Sequence, residues 1–459
     1  MTAERVQVGR SGPSLWRNGS FRLLFGAQVV SLLGSGVTTV GLALFAYQLT
    51  GGKSATAVVG NALMLRILAF LMFSQPAGVL ADRFDRKFIL VAADLVRFVL
   101  LSLFPLVTQV WQVYLLIFAI NAVTAFFTPT FEASIPEVVG DAHYVAALSW
   151  SRVAVDVEAF AAPAIAGMLV AVMGVRWVFW FDASTYLVSA LLVLRATVPR
   201  TAKPAGAMSI GTLVGEISYG TRLLLRQPAL RRALVLSMAE ATAGAAAIVA
   251  TVTYVRDVLG RGNTAFTTVM AALGLGSGAA ALLLGRFTGR YEQLASNRAA
   301  LHGRRHDWTS RVLTLGGLLL GLVLLPGAWK PPLAILILLW GFNGVGQALI
   351  AIASSTLLAE HTRAEERGRA YAAHFALTHA CWLVTYPAVG HAAARWGSPL
   401  TFTAAGVACL AIAGVAAAMG SGNPAPHVHD PAGAADAAPG FSPLVEPEVG
   451  LPVPENEPL

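Results

Sequence analysis

The stretch Gly78-Val79-Leu80-Ala81-Asp82-Arg83-Phe84-Asp85-Arg86-Lys87 packs five charges between two long apolar runs. About twenty apolar residues precede it and a comparable run follows, so it reads as a tight turn at a membrane surface between two spanning segments. The composition agrees: 56% of the 459 residues are hydrophobic and 12% are charged, and the mean hydropathy is +0.66. A soluble domain carries about a quarter charged residues, so the chain reads as a polytopic membrane protein. The net charge of +8 does not call for a nucleic acid, because arginines of such chains concentrate in cytoplasmic loops. Two cysteines, Cys381 and Cys409, both lie in apolar runs and support neither a disulfide framework nor a CxxC metal site.

Apolar segments of spanning length fall near 21–49, 57–80, 88–107, 111–130, 147–172 and 177–194, and again near 230–254, 265–284, 312–328, 333–358, 370–394 and 401–419. Backbone polar groups left bare in lipid are too costly, so these twelve spans are expected to be helices. The expected fold class is an all-α membrane protein of two pseudo-symmetric six-helix halves, 21–194 and 230–419. The first run, Phe21 to Leu49, is too long for a cleavable signal peptide, and no small-residue cleavage site follows it.

With the N-terminus inside, 23 lysines and arginines fall in inner segments, against Lys53, Arg176, Arg256, Arg261, Lys330 and Arg395 outside. That bias predicts two cytoplasmic termini in a cell membrane. The region of Glu132, Glu137 and Asp141 is acidic on a side predicted to be positive, but acids weigh little in this rule. A cytoplasmic segment 1–20 precedes the first half. A linker at 195–229 follows it, where Ile210, Leu213, Val214, Ile217 and Leu224 recur at helical spacing. This predicts an amphipathic helix on the inner membrane face. The tail 420–459, rich in Pro, Ala and Gly, reads as disordered. After span 8, Gly285-Arg286-Phe287-Thr288-Gly289-Arg290 is a weak echo of the charged turn, opening a long loop to 311.

The charged turn resembles the loop between spans 2 and 3 of the major facilitator superfamily, which runs Gly-x-x-x-Asp-Arg-x-Gly-Arg-Arg/Lys. Phe21-Arg22-Leu23-Leu24-Phe25, Thr128-Pro129-Thr130-Phe131-Glu132-Ala133-Ser134-Ile135-Pro136 and Ala162-Pro163-Ala164-Ile165-Ala166-Gly167 are similar to stretches of its drug and metabolite exporters. The resemblance implies an alternating-access transporter with Gly78, Asp82, Arg83, Asp85, Arg86 and Lys87 as its gating motif. Physically, Asp82 suits a neighbouring helix N-terminus. Arg83, Arg86 and Lys87 are expected to pair with acids of the other half as a breakable latch. Asp85 departs from the pattern, standing where glycine is usual. Such exporters often carry an acid in span 1 after a Leu-Gly pair; here Ser35 follows Leu33-Gly34.

Ionisable residues inside spans are functional suspects by default. These are Arg66, Asp94, Arg97, Arg152, Asp156, Glu158, Asp182 near the outer end of span 6, and Glu240. Asp94 with Arg97 and Arg152 with Asp156 stand at i,i+3 and i,i+4, so each pair can neutralise itself on one helix. Glu158 and Glu240 have no basic partner within four residues, which makes them the leading proton-coupling candidates, ahead of Asp94 and Asp156. Span 11 places His374, Thr378, Cys381 and Thr385 on one stripe and His379, Trp382 and Tyr386 on another. Imidazole and thiolate suit soft divalent metals, which singles out His374 and Cys381 as metal ligands. Histidines held by bundle hydrogen bonds remain the plainer reading, and a histidine titrating near neutral pH also suits proton coupling. Span 11, with His427-Val428-His429-Asp430 in the tail, resembles the nickel- and cobalt-resistance branch of the superfamily.

Asn343 and Gln347, like Gln28 and Asn121, suit either a cavity lining or core hydrogen bonds. With His374, Thr378, His379, Cys381 and Tyr386 they complete the candidate substrate contacts. Gly34, Gly36, Gly274, Gly276, Gly278, Gly341, Gly344 and Gly346 mark close helix approaches.

No Gly-x-x-x-x-Gly-Lys-Ser/Thr segment occurs, so ATP is not an expected energy source. The expected function is proton-coupled efflux of a divalent metal such as nickel or cobalt. One alternative is export of drugs or a siderophore-like metabolite, and another is a non-transporting scaffold or sensor. Enzyme activity, a cofactor and a nucleic-acid partner are not expected. The expected partners are membrane lipid, protons and a small-molecule or metal-ion substrate, with the chain a monomer.

Overall fold

The computed structural model describes residues 15–52, 54–199, 210–295, 301–362 and 366–419. Over 75–83, 141–142, 145, 148–149, 152, 156, 159–160, 210–217, 285–295, 301–307 and 367–368 it describes the backbone alone. The expected tail, its histidine pair and most of segment 1–20 lie outside the described residues.

Among the described residues the chain is almost wholly helical. The first half runs α1 (Gly19–Thr50), α2 (Ala55–Arg83), α3 (Arg86–Ser102), α4 (Val110–Val139), α5 (Asp141–Met173) and α6 (Trp177–Arg195). The helix expected in the linker is α7 (Ile210–Arg226). The second half runs α8 (Pro228–Val258), α9 (Asn263–Ala295), α10 (Leu301–Leu324), α11 (Leu333–His361), α12 (Arg367–Trp396) and α13 (Ser398–Ala418). Each of the twelve expected spans falls mostly on one of these helices, and spans 3 and 9 end in the short 3-10 turns Phe104–Leu106 and Leu325–Trp329.

Over their described residues, ten helices are long and apolar enough to cross a membrane. The helices outside this set are α5, apolar over Ala161–Met173, α12, which carries His374, His379 and His391, and the linker helix α7.

Local chemistry sets the corners. Asn18 caps α1 by accepting from the Phe21 amide at 3.1 Å. Single glycines, Gly140 (φ +70°) and Gly397 (φ +81°), are the whole connection between α4 and α5 and between α12 and α13. Side chains rarely adopt that backbone region, so glycine permits a one-residue corner. The α8 helix is interrupted by π turns at Ala246–Ala250 and Tyr254–Val258. Such turns bend a helix and recur at functional sites.

The charged stretch departs from the expected tight turn. Helix α2 continues through Gly78 and Asp82 to Arg83, and the corner is only Phe84-Asp85. Asp85 then caps α3, accepting from the amides of Lys87 (2.9 Å) and Phe88 (3.3 Å). A carboxylate there satisfies orphan helix donors, which gives a physical reason for an acid where the pattern it resembles has glycine. The echo at 285–290 is likewise helical, as α9 runs on to Ala295, and α10 begins eleven residues before the expected start of span 9.

The halves meet along α2–α12 and α5–α9. Cross-half contacts gather at the end of the bundle that carries the α1–α2 turn. Thr56 Oγ1 donates to Gly390 O at 3.0 Å, and a Cβ on Gly60 would collide with Tyr386 O. Tyr47 donates its hydroxyl to Asp257, while Arg256 lies over the Tyr47 ring at 4.9 Å. Across α5 and α9, a Cβ on Gly167 would stand 2.6 Å from Thr267 Oγ1.

Candidate functional site

Between the halves lies a cavity of about 350 Å³. From the first half it takes Gly36 and Thr39 of α1, Arg66 of α2, and Glu158, Ala162 and Pro163 of α5. From the second half come Ile248 at the π turn of α8, Phe266, Met270 and Leu273 of α9, and His379, Trp382 and Tyr386 of α12. One wall is therefore polar and charged, and the other apolar and aromatic.

Glycine makes room for the acid. A Cβ on Gly36 would collide with Glu158 Oε1 and with Ala162, so the carboxyl packs directly on the α1 backbone. Arg66 does not clamp it, since Arg66 Nη1 donates to Thr39 Oγ1 at 3.1 Å. Opposite, Trp382 and Tyr386 pack ring to ring at 5.1 Å. His379 stacks on Phe375 at 3.7 Å, and its Nδ1 lies 2.8 Å from Phe375 O. The imidazole is thus held by its own helix, and its second nitrogen remains for the cavity.

A second space of about 60 Å³ adjoins the first inside the N-terminal half. Ser35, Thr38, Asn121, Thr124, Asp182 and Tyr186 line it, and Thr39 and Arg66 belong to both walls. Beside it, Arg97 (2% exposed) pairs with Asp94 (0% exposed) on α3, as the i,i+3 spacing predicts. The Arg97 guanidinium is sandwiched between the rings of Phe127 (4.2 Å) and Tyr186 (4.4 Å). Tyr186 in turn meets the Ser35 hydroxyl at 2.9 Å. A buried polar chain therefore runs from α3 through α6 to α1.

The other expected site residues divide. Glu240 on α8 lies outside both cavity walls. Asn343 and Gln347 bond one another at 2.6 Å on α11, away from both spaces. Thr378 Oγ1 returns to His374 O at 2.9 Å, and Cys381 Sγ to Leu377 O at 3.3 Å. His374 Nε2 is buried without a partner. The seven residues from His374 to Cys381 rise about 10.5 Å along a helix, and among the described residues no three His, Cys, Asp or Glu side chains gather to hold a metal ion. The expected ligand pair thus stays two separate groups. The side chains of Arg152 and Asp156 lie outside the described residues.

So do those of Asp82 and Arg83, and Gly78 is described by its backbone alone, while the rest of the gating motif is visible. Arg86 pairs with Glu137 of α4 at 2.7 Å and donates to Ala133 O at 2.8 Å. Lys87 Nζ donates to Ala196 O at 2.9 Å. These partners lie in the same half, where acids of the opposite half were expected. The acidic region that ran against the charge rule supplies the ion pair, since Glu137 is drawn to Arg86.

Missed in the sequence were the roles of Gly34 and Gly36, read as helix-packing positions. They flank Ser35, and each is backed by an acid, Asp182 on Gly34 and Glu158 on Gly36. The signal was two glycines bracketing Ser35, the place where the exporter resemblance implies a carboxylate.

Residues 24–303 and 303–450 match the Major Facilitator Superfamily family model. The chain belongs to that superfamily. It is therefore a multi-pass membrane protein of a transporter family. It is 26% identical over 211 residues to the uncharacterized MFS-type transporter YfiS of Bacillus subtilis, covering 45% of this chain and 49% of YfiS. It is also 26% identical over 185 residues to macrolide efflux protein A of Streptococcus pyogenes, covering 39% and 45%. The chain thus spans about half the length of the curated relatives it matches. Among solved structures, a POT family transporter in complex with 5-aminolevulinic acid superposes with a TM-score of 0.67 at 11% identity, over 87% of this chain and 95% of that one. A bacterial homologue of the lysosomal transporter Spinster, inward-facing and unoccupied, gives 0.62 at 14% identity, over 89% and 97%. At such identities the likeness shows the fold.

Proposed function

We propose that this chain is a secondary active exporter that couples efflux of an amphiphilic organic solute to proton entry through Glu158. The carrying observation is an acid in the wall of the inter-half cavity, for which the described residues supply no ion-pair partner. Placing a carboxylate in a membrane protein core is costly unless it serves the transport cycle. The facing wall of Phe266, Met270, Trp382 and Tyr386 suits an apolar body, and Arg66, Glu158 and His379 suit its polar groups. Export as the direction is supported by the similarity to macrolide efflux protein A.

A nickel- or cobalt-like cargo has weaker support. His374 and Cys381 lie outside the cavity wall, and among the described residues they gain no third ligand. With both termini in the cytoplasm, as the lysine and arginine bias supports, the closed end with Tyr47 and Asp257 faces outward. The cavity then belongs to an inward-facing stage of alternating access.

The test has two arms. A susceptibility panel of metals and drugs, in a strain lacking the gene and one overproducing it, identifies the cargo. In vesicles with an imposed proton gradient, Glu158→Gln is expected to abolish uphill transport of the compound found. Full retained uphill transport overturns the coupling role. Metal resistance that vanishes in the His374→Ala, Cys381→Ala double variant at normal expression would restore the metal reading.

A further inference from the structure

Asp182 is a second carboxyl for which the coupling scheme above has no use. It sits on α6 with 1% of its surface exposed. Thr185 Oγ1 stands 3.1 Å from its Oδ1, and among the described residues no lysine or arginine forms an ion pair with it. A Cβ on Gly34 would collide with both Asp182 Oδ1 and Thr185 Oγ1, so α1 has been cleared at this point to seat the carboxyl. The group is not sealed in apolar packing but lines the 60 Å³ space. A cavity needs about 10–15 Å³ to hold a water molecule, so that volume admits water. Ser35, Thr38, Asn121, Thr124 and Tyr186 supply hydrogen-bonding walls.

The charges around it complete the picture. Helix α2 presents Arg66 and α3 the Arg97–Asp94 pair, while α6 adds Tyr186; Glu158 of α5 lines the main cavity instead. Helices α1 and α4 present only hydroxyls and one amide. Arg97 is already committed to Asp94 and two aromatic faces. Arg66 is the movable charge, since it borders both spaces and is tied only to Thr39 in the described residues.

We propose that Asp182 is a proton-binding carboxyl of this transporter, reached through the small polar chamber and communicating with the main cavity through Arg66. A hydronium ion in the chamber breaks one O–H bond and gives its proton to the carboxylate, leaving a water molecule and a neutral acid. The Arg66 guanidinium then turns toward Glu158. Discharge of Asp182 draws it back. The N-terminal half thus holds two protonatable sites on either side of α1. This rests on the proton-coupled reading above but is tested without any substrate.

The full chain, purified into nanodiscs, is titrated by infrared difference spectroscopy for protonated-carboxyl bands. Asp182→Asn is expected to remove one band with its pH midpoint, and Glu158→Gln a different one. Thr185→Val, which keeps the acid and the packing volume, is expected to shift the Asp182 band and midpoint alone. Unchanged bands and midpoints in Asp182→Asn, or in Thr185→Val, overturn the proposal. Failure of the coupling reading shows elsewhere, as unimpaired uphill transport in Glu158→Gln vesicles. Asp182→Asn spectra that lose their band together with that result would leave this site standing and the Glu158 role fallen.

Discussion

The two halves share a helix count and differ in chemistry. The N-terminal half threads ionised and hydroxyl groups through its interior, from Asp94 and Arg97 through Tyr186 to Ser35, with Asp182 and Glu158 seated on glycines of α1. The C-terminal half is held by close backbone approach. Cβ atoms on Gly276 or Gly344 would collide with the carbonyls of Gly341 and Leu273, where α9 and α11 touch. Its contribution to the cavity is largely apolar and aromatic, with His379. Under the function proposed above, the first half handles charge and the second supplies the apolar face that meets the solute.

The comparison breaks first, and hardest, at Arg97. Arg97→Ala strands a fully buried Asp94 carboxylate and should cost about 3–5 kcal/mol, read as lost thermal stability in detergent. The double variant with Asp94→Ala should recover part of that loss, which separates a stranded charge from lost packing. On the other side, Gly344→Ala forces apart α9 and α11 and should destabilise by about 1–3 kcal/mol, with no change in proton binding. If it alters the carboxyl spectrum, the division between halves fails.

Two smaller effects sharpen the picture. Trp382→Ala removes the aromatic partner of Tyr386 from the cavity wall and should weaken transport affinity by up to about tenfold, seen as a raised KM with kcat near normal. Tyr47→Phe deletes the cross-half bond to Asp257 at the closed end. At about 1 kcal/mol, it should shift the closed population roughly fivefold, detectable as faster labelling of a cysteine introduced at Ala55, which is buried at that end.

Particular residues show what was legible. The twelve spans could be read because lipid demands long apolar helices and tolerates little else. The Asp94–Arg97 pair could be read from i,i+3 spacing, since both partners stand on one helix. Asp85 as a cap could not, because it depended on where α2 stops, and helical continuation through Arg83 is not encoded by hydropathy. For a related reason, that Arg86 meets Glu137 could not be read either. Which of several acids lies within 4 Å of a cation is fixed by helix packing, not by chain order.

The sequence by itself thus determined an all-helical membrane chain of this superfamily and the short set of intramembrane charges from which its chemistry must come. Hydrophobic length and the cost of bare charge in lipid are properties of the residues alone. Only the tertiary structure decided which charges meet. It put Glu158 in the cavity and kept Glu240 out of its wall, separated His374 from Cys381, and set Asp182 and Glu158 on adjacent clearings of α1. Those outcomes depend on the rotation and approach of neighbouring helices, where one missing Cβ decides whether a carboxyl fits.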